Sequence, residues 1–504
     1  MKPRISSPFK TYLYSNFAGL STSRADISSE NPELQSLVEM DNLYCSHKGY
    51  ITNEPGDIKF GTEMGYVSHV RWYDAASDVV IYSTRTGAGT SLFASGSYAK
   101  SENIWPRLAS VSSAVFNRSV VLAAGQPTMR YYNGSEFKEI TSDSIFGARY
   151  LCQVSNRLVV AGFDHNPNEV KVSRVDNGRV YDGDEAIGEP SVLRAFRFNI
   201  QNMIESGDRI KGVATFETSR IAVFTNDRVL VYVTDPDYTQ WSLDKEIMVR
   251  YGTISHNSVA SAGGELFFCS RTGVHSLRRS MLNGSIVYSS AMSDEVTELY
   301  QSLLSQVKNK DDVSAYFNPD DGRLHVIFPI NDLLSYRLSA SLSPSNGEAN
   351  QTETRWALST YGGVTYGDYL AGRVVRGTIS GMRLVSPWYS NTERRGAGSV
   401  NLPILWHGDI FNPKDGLHIV LYASGSGRVV VTTHDETQRE LSVVVFDLPE
   451  DDQTDYYGVP LQRQFIRPFQ HQYIGVRMSL KVESEKMVRV FAVGLNIKVE
   501  PRVK

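Results

Sequence analysis

The chain is written almost throughout as short apolar runs rich in Val, Ile, Tyr and Phe, interrupted every few residues by Gly, Asn, Asp or Ser. β-Branched and aromatic side chains pack well on a pleated surface, and the interrupting residues accept tight turns, so the pattern specifies antiparallel strands joined by hairpins. Two places show it most plainly. Runs 221–225 and 229–233 flank Asn226-Asp227-Arg228, and runs 266–270 and 274–277 flank Arg271-Thr272-Gly273. In the second hairpin Gly273 is expected to take a positive φ, which a residue without Cβ adopts at little cost.

The same strand opening, a polar or charged residue ahead of a β-branched or aromatic run, occurs at Asp78, Arg118, Arg157, Arg220, Glu265, Arg323 and Asp368. A four-stranded propeller blade uses about 40 to 50 residues, so the spacing fits an all-β fold: an irregular six- or seven-bladed β-propeller with insertions in the longer intervals. No Trp-Asp blade end or kelch-type glycine pair marks the repeats, and an irregular array of β-sandwiches is the competing architecture. From about Asn401 the alternation becomes cleaner, which reads as a separate C-terminal antiparallel β-sandwich. The expected organisation is an N-terminal arm and first strands over 1–70, the propeller over 71–400 and the sandwich over 401–504. Two polar stretches within the propeller, 163–206 and 331–353, read as long loop insertions.

One segment departs from the rule. Over 293–308, Val296, Leu299, Tyr300, Leu303, Leu304 and Val307 recur at helical spacing, with Ser293 placed to cap the N-terminus and Asp294 and Glu295 suited to its positive end. Lys308 and Lys310 suit the opposite end, and the apolar stripe is expected to pack on the chain's own sheet.

Composition narrows the function classes. Hydrophobic residues make up 41% of 504 residues and aromatics 11%, enough for a large buried core. The three cysteines, Cys45, Cys152 and Cys269, are widely spaced and suggest neither a disulfide framework nor a thiolate zinc site. No apolar run reaches the length of a membrane span and the first residues carry no export-type stretch, so neither membrane insertion nor secretion is expected. A net charge of -4 argues against a tight grip on nucleic acid, which requires a clustered basic surface.

A search for reactive constellations returns negatives. No P-loop, dinucleotide glycine fingerprint, zinc helix or nucleophile elbow is present. Gly425-Ser426-Gly427 reads as a β-turn, and Asn318, Asp320, Asp321 and Gly322 as a hairpin turn lacking the spacing of a calcium loop. No catalytic residue, metal or cofactor is expected. Asp176, Asp182, Asp184 and Glu185 crowd carboxylates into one loop and are candidates for a contact or lumen-facing segment. Arg278, Arg279, Arg394 and Arg395 form small basic spots, candidates for an interface or for contact with a polyanion.

Two stretches carry a family resemblance. The first runs from Leu20-Ser21-Thr22-Ser23-Arg24-Ala25-Asp26 through Glu39-Met40-Asp41-Asn42-Leu43-Tyr44 and Gly49-Tyr50-Ile51 to Pro55-Gly56. The second runs from Arg220-Ile221-Ala222-Val223-Phe224-Thr225 through Tyr251-Gly252-Thr253-Ile254-Ser255-His256-Asn257-Ser258-Val259 to Gly263-Gly264-Glu265-Leu266-Phe267-Phe268 and Arg271-Thr272-Gly273-Val274. Together they resemble the tail nozzle proteins of short-tailed bacteriophages, the tubular tail protein B and packaged-DNA stabilisation types, over roughly residues 15–60 and 207–280. The resemblance implies a structural virion protein, not an enzyme, that self-associates into a ring of about six copies below the portal and adaptor. It also implies contact with tail fibres and a conduit through which double-stranded genome DNA passes without sequence-specific binding. Its place would be the virion tail, after assembly in the host bacterial cytoplasm. The reading from a different class is a carbohydrate-binding or glycan-hydrolysing propeller on the virion.

Overall fold

A computed structural model describes residues 9–498 apart from 16, 22–34, 47–48, 55, 61–64, 75, 86–88, 96–99, 107–109, 141–144, 179–180, 182–189, 263, 278–290, 332, 345–351, 361–363, 371–372, 386–396, 406–412 and 450–461. Among the described residues, seven small antiparallel sheets follow one another as the blades of a β-propeller. Blade one holds Tyr66–Asp74, Val79–Arg85, Thr90–Ala94 and Lys100–Trp105; blade two Ser112–Phe116, Ser119–Ala123, Met129–Tyr132 and Phe137–Ile140. Blade three holds Tyr150–Val154, Arg157–Ala161, Glu169–Val172 and Phe196–Asn199; blade four Ile210–Phe216, Arg220–Thr225, Val229–Val233 and Ser242–Val249. Blade five shows Val259–Ala262, Glu265–Cys269 and Val274–Ser276, and blade six Ser314–Asn318, Arg323–Pro329, Ser335–Pro344 and Thr352–Ser359. Blade seven takes Val364–Leu370, Arg373–Thr378 and Gly381–Val385, and its outermost strand is Asp57–Phe60, from far upstream.

The first strands lie side by side around one axis, and Val364–Leu370 returns against Tyr66–Asp74 to close the circle. Asp368 Oδ2 accepts the Trp72 N–H at 2.9 Å, and the Thr365 hydroxyl donates to the Val67 carbonyl. Asp57–Phe60 then pairs with blade seven in the register Met382 to Phe60 and Val385 to Asp57, so the upstream chain fastens the last blade.

The repeated opening in the sequence marks the second strand of a blade. Six of the seven starts, Asp78 through Arg323, sit at or just before such a strand. These strands are the most deeply buried, as in Arg157–Ala161 and Arg323–Pro329, where every residue is buried. The seventh start, Asp368, falls instead inside the first strand of blade seven, and the second begins at Arg373. The preceding hairpins bend through left-handed residues: Asn117 and Arg118 have φ of 46° and 57°, and Ser155 and Asn156 have φ of 47° and 57°. Two consecutive positive values match the right-handed twist of the flanking strands.

Segment 331–353 differs from the expected loop. Ser335–Pro344 is a ten-residue strand and Thr352–Ser359 its partner, with residues 345–351 lying outside the described residues. Serines alternate with Tyr336, Leu338, Ala340 and Leu342, so a loop-like composition conceals a period of two that suits a pleated strand. Segment 163–206 contributes two strands to blade three, and the insertion runs between them. Arg157 tethers that insertion: its side chain is fully buried and its guanidinium donates to the carbonyls of Ser173, Arg194 and Val192 at 2.8, 2.5 and 2.7 Å.

The helix forms where expected, as a short 3-10 turn Asp294–Val296 leading into Thr297–Gln306. Tyr300, Leu303 and Leu304 are buried, and Tyr300 Oη donates to the Ser270 carbonyl at 2.6 Å. Ser293 does not cap it; its hydroxyl accepts the Val274 N–H at 3.0 Å, pinning the segment to blade five. Gly273 does not have a positive φ either. What it requires is close approach, since a Cβ there would meet Ala291 Cβ at 2.8 Å and also the Ser293 hydroxyl.

The C-terminal residues form a sandwich of two antiparallel sheets, and N-terminal strands complete both. One sheet orders Arg463–Pro468, Lys414–Gly425, Val488–Lys498, Ile51–Asn53 and Leu43–Cys45, with Phe9–Ser15 also paired to Val488–Lys498. The other orders Glu440–Leu448, Gly427–Asp435, Val476–Glu483, Gly398–Asn401 and Glu39–Asp41. Strands from the region anticipated as an arm, 1–70, are thus shared between the sandwich and blades one and seven.

The N-terminal segment is clamped between the sandwich and blade six. Arg355 Nη1 donates to the carbonyls of Phe17 and Ser46 at 3.0 and 2.7 Å, and Asn53 Nδ2 donates to the carbonyl of Lys486 at 2.9 Å. Glu54 forms a buried ion pair with Arg337 of blade six. Burial pushes the Arg337 guanidinium down to about 9, with the neighbouring Arg376 charge acting in the same direction. One apolar cluster joins Leu43 and Ile51 to Tyr300, Leu338 and Trp356 of the propeller side and to Val431, Leu480 and Leu495 of the sandwich. Each such side chain contributes about 1.5–3 kcal/mol when fully buried, so a continuous core binds the two units together.

Candidate functional site on the propeller axis

The first strands are short and carry polar side chains at alternate positions. In blade one, Val70 and Trp72 pack between blades while His69 and Arg71, two residues apart, share the opposite face. His69 is buried, its Nε2 lies 2.9 Å from the Ser113 hydroxyl, and its ring lies 4.4 Å from that of Tyr366. Burial, then the Arg71 and His256 charges, hold its pKa down to about 3, so the imidazole is neutral.

The axis is crossed by a strap. After the helix, Asn309 caps a single 3-10 turn, Lys310–Asp312, by accepting the Asp311 N–H. The Asp311 carbonyl accepts from Ser110 at 3.0 Å and from Ser255 at 2.9 Å, and its carboxylate meets Lys211 Nζ at 3.0 Å. Asp312 receives both terminal nitrogens of Arg85. Residues preceding blades two and five and residues within blades one and four therefore hold one short segment.

Below it, the turn His256–Ser258 leads into blade five. Asn257 Nδ2 donates to the Val111 carbonyl at 3.0 Å, and His256 Nδ1 accepts the Val213 N–H at 3.4 Å. Burial lowers the His256 pKa to about 4. His256 and Asn257 line two cavities at once and so separate them. The smaller, about 230 Å³, lies against Ser110, Arg149, Tyr150 and Asp311; the larger, about 360 Å³, is lined by residues of six blades, including Arg71, Ser113, Gln153, Thr215, Ser261 and Tyr366. Arg71 is the charged side chain among the lining residues of the larger cavity. Cys152 also lines it; burial raises its thiol to about 12, so it stays protonated and is a poor nucleophile.

Of the residues singled out in the sequence, Asp176 is exposed in a turn of blade three with a φ of 56°, and its carbonyl accepts from Asn117 Nδ2 at 2.6 Å. It contacts the blade two hairpin and does not enter the axial cavities. Asp182, Asp184, Glu185, Arg278, Arg279, Arg394 and Arg395 lie outside the described residues. Asn318, Asp321 and Gly322 form the hairpin of blade six, where Asp320 N–H donates to Asn318 and Arg323 N–H to Asp321. Among the described residues no group of three or more His, Cys, Asp or Glu side chains is placed to hold a metal ion. Among the described residues no helix is long and apolar enough to cross a membrane.

Comparison with solved structures finds limited similarity to proteins of very different sequence. Solved structures similar to this chain include BamB from Moraxella catarrhalis, at 9% identity, covering 66% of this chain and 97% of that one, with a TM-score of 0.34. BBS1N in complex with ARL6DN matches at 9% identity over 66% of this chain and 97% of that one, with a TM-score of 0.38. YCF48 bound to D1 peptide matches at 10% identity over 67% of this chain and 97% of that one, with a TM-score of 0.35. These are β-propellers. The propeller of this chain is defined by its own strand pairing. No family model and no curated relative matches the sequence.

Proposed function

We propose that the chain is a structural virion protein that assembles into the distal nozzle ring of a short-tailed phage tail, part of the conduit that retains and then releases genome DNA. The observation that supports this reading most is the interlock of residues 35–60. This stretch, within the first region of resemblance, supplies strands to both sheets of the sandwich and to blade seven. A chain stitched in this way resists hinging between its units, a property suited to a wall that bears internal pressure. The second region of resemblance builds blades four and five and the His256–Asn257 divider. Since the strap crosses the propeller axis, the DNA path would be the hole enclosed by several copies and not the axis of one. In a closed ring each copy presents two different patches to its neighbours.

The reading is tested by incubating the full chain with the tail adaptor ring and imaging the product in negative stain. An annulus of about six copies seated on the adaptor is expected. Failure to form a ring on a competent adaptor, or turnover of a polysaccharide by the purified chain, would count against it.

A further inference from the structure

We propose that the larger axial cavity is a binding site for a small organic oxyanion, anchored by the guanidinium of Arg71. This does not depend on ring assembly. The cavity's volume, about 360 Å³, falls in the range of small-molecule sites and is far too small for a polymer duplex. Its wall is mainly polar, with Ser113, Gln153, Thr215, Ser261 and Tyr366 beside Arg71 and with Val115 as an exposed apolar face, a lining suited to a compact polar ligand. Val115 is 39% exposed although it lies in the first strand of a blade, because its side chain faces this space.

The charge in the cavity is not neutralised closely. Arg71 Nη1 lies 3.4 Å from Asp368 Oδ1, a long contact, while the other oxygen of Asp368 accepts the Trp72 N–H. Arg71 Nε and Nη2 donate to no partner among the described residues. These two nitrogens form one edge of the guanidinium, the edge that meets a carboxylate or phosphate with two parallel hydrogen bonds. Behind it the neutral His69 holds the Ser113 hydroxyl and packs at a tilt against the Tyr366 ring, and both Ser113 and Tyr366 line the cavity. Ser113 thereby stands as a held hydroxyl among the cavity's lining residues, with Tyr366 a second hydroxyl-bearing side chain of the same wall, suited to the remaining oxygens of a compact hydroxy acid or sugar acid.

The test is calorimetric titration of the full chain with glucuronate, with inorganic phosphate, and with glucose as the uncharged control. Binding of glucuronate or phosphate is expected without binding of glucose; which anion binds distinguishes a carboxylate from a phosphate ligand. Arg71→Met should weaken that binding by about tenfold or more. Val115→Trp, which fills the cavity and leaves Arg71 in place, should do the same, and circular dichroism confirms that each variant is folded. Absence of binding by either anion at up to about 10 mM, or binding that both folded variants retain, would overturn the proposal.

Discussion

Arg85 and Asp312 meet through two hydrogen bonds, Nη1 to Oδ2 at 3.0 Å and Nη2 to Oδ1 at 2.5 Å, and so join the second strand of blade one to the strap across the axis. Both side chains are nearly buried, at 8% and 12% exposure. Removing one partner leaves a buried charge without its counterion. Asp312→Ala should therefore destabilise the chain by about 3 kcal/mol, seen as a lower urea midpoint. Arg85→Met combined with Asp312→Ala should recover part of that loss, and a double variant as unstable as the sum of the singles would show that the pair is not coupled.

Gly252 and Gly207 make contrasting demands on the backbone. A Cβ at Gly252 would collide with the main chain at Thr225 and Asn226, which cannot move without breaking blade four. Gly207 has φ of 89° with nothing near the missing Cβ. Gly252→Ala should cost more than about 2 kcal/mol, and Gly207→Ala about 1 kcal/mol, the strain of an L residue at positive φ. Thermal unfolding of the two variants gives the order; equal losses would contradict the close approach at Gly252.

The tether of the blade three insertion rests on one side chain. Arg157→Leu removes the donors to Ser173, Val192 and Arg194 and leaves three carbonyls unsatisfied. Limited proteolysis should then cut within 173–195 at least about tenfold faster than in the parent, as local opening becomes cheaper by about 1.4 kcal/mol or more. An unchanged cleavage rate would place the restraint elsewhere.

Stability should depend on pH through buried histidines. His69, His256 and His275 have pKa values held down to about 3, 4 and 4, and that of His325 is also lowered, in each case first by burial. The folded forms stay neutral where the unfolded chain, with histidines near 6.5, takes up protons. The unfolded state thus binds more protons between about pH 6.5 and 4, so stability is full above that window and falls as pH is lowered through it. The urea midpoint should drop steadily from pH 6.5 to 5, before most carboxylates titrate. A flat profile there would mean that these rings protonate in the folded state.

Local signals in the sequence reveal the blades, while long-range pairing leaves no trace in it. Strand openings at Asp78 through Arg323 are local, and they located six second strands because burial on both faces leaves a compact β-branched run. Asp368 opens a run of similar composition, Asp368-Tyr369-Leu370, but that run belongs to a first strand. Ser335–Pro344 was hidden by serines that alternate rather than cluster. The pairing of Asp57–Phe60 with Gly381–Val385, and of Glu39–Asp41 with Gly398–Asn401, is long-range and leaves no local mark. The axial groups were hidden for the same reason. Lys310, Asp311 and Asp312 look like the charged end of a helix, and only the ring of blades brings Arg85, Ser110, Lys211 and Ser255 to them. Arg71 left a faint trace, as a polar residue alternating with Val70 and Trp72.

As proposed, this composite of propeller and sandwich is a wall element around a DNA path. An electron-microscopic map of the mature particle, with the chain docked as a single body, tests it most directly. About six copies are expected around the tail axis at the end distal to the portal, with their sandwiches and propellers packed side by side around an open hole. Copies found away from that axis, or a path for DNA running through the strapped centre of one propeller, would contradict it.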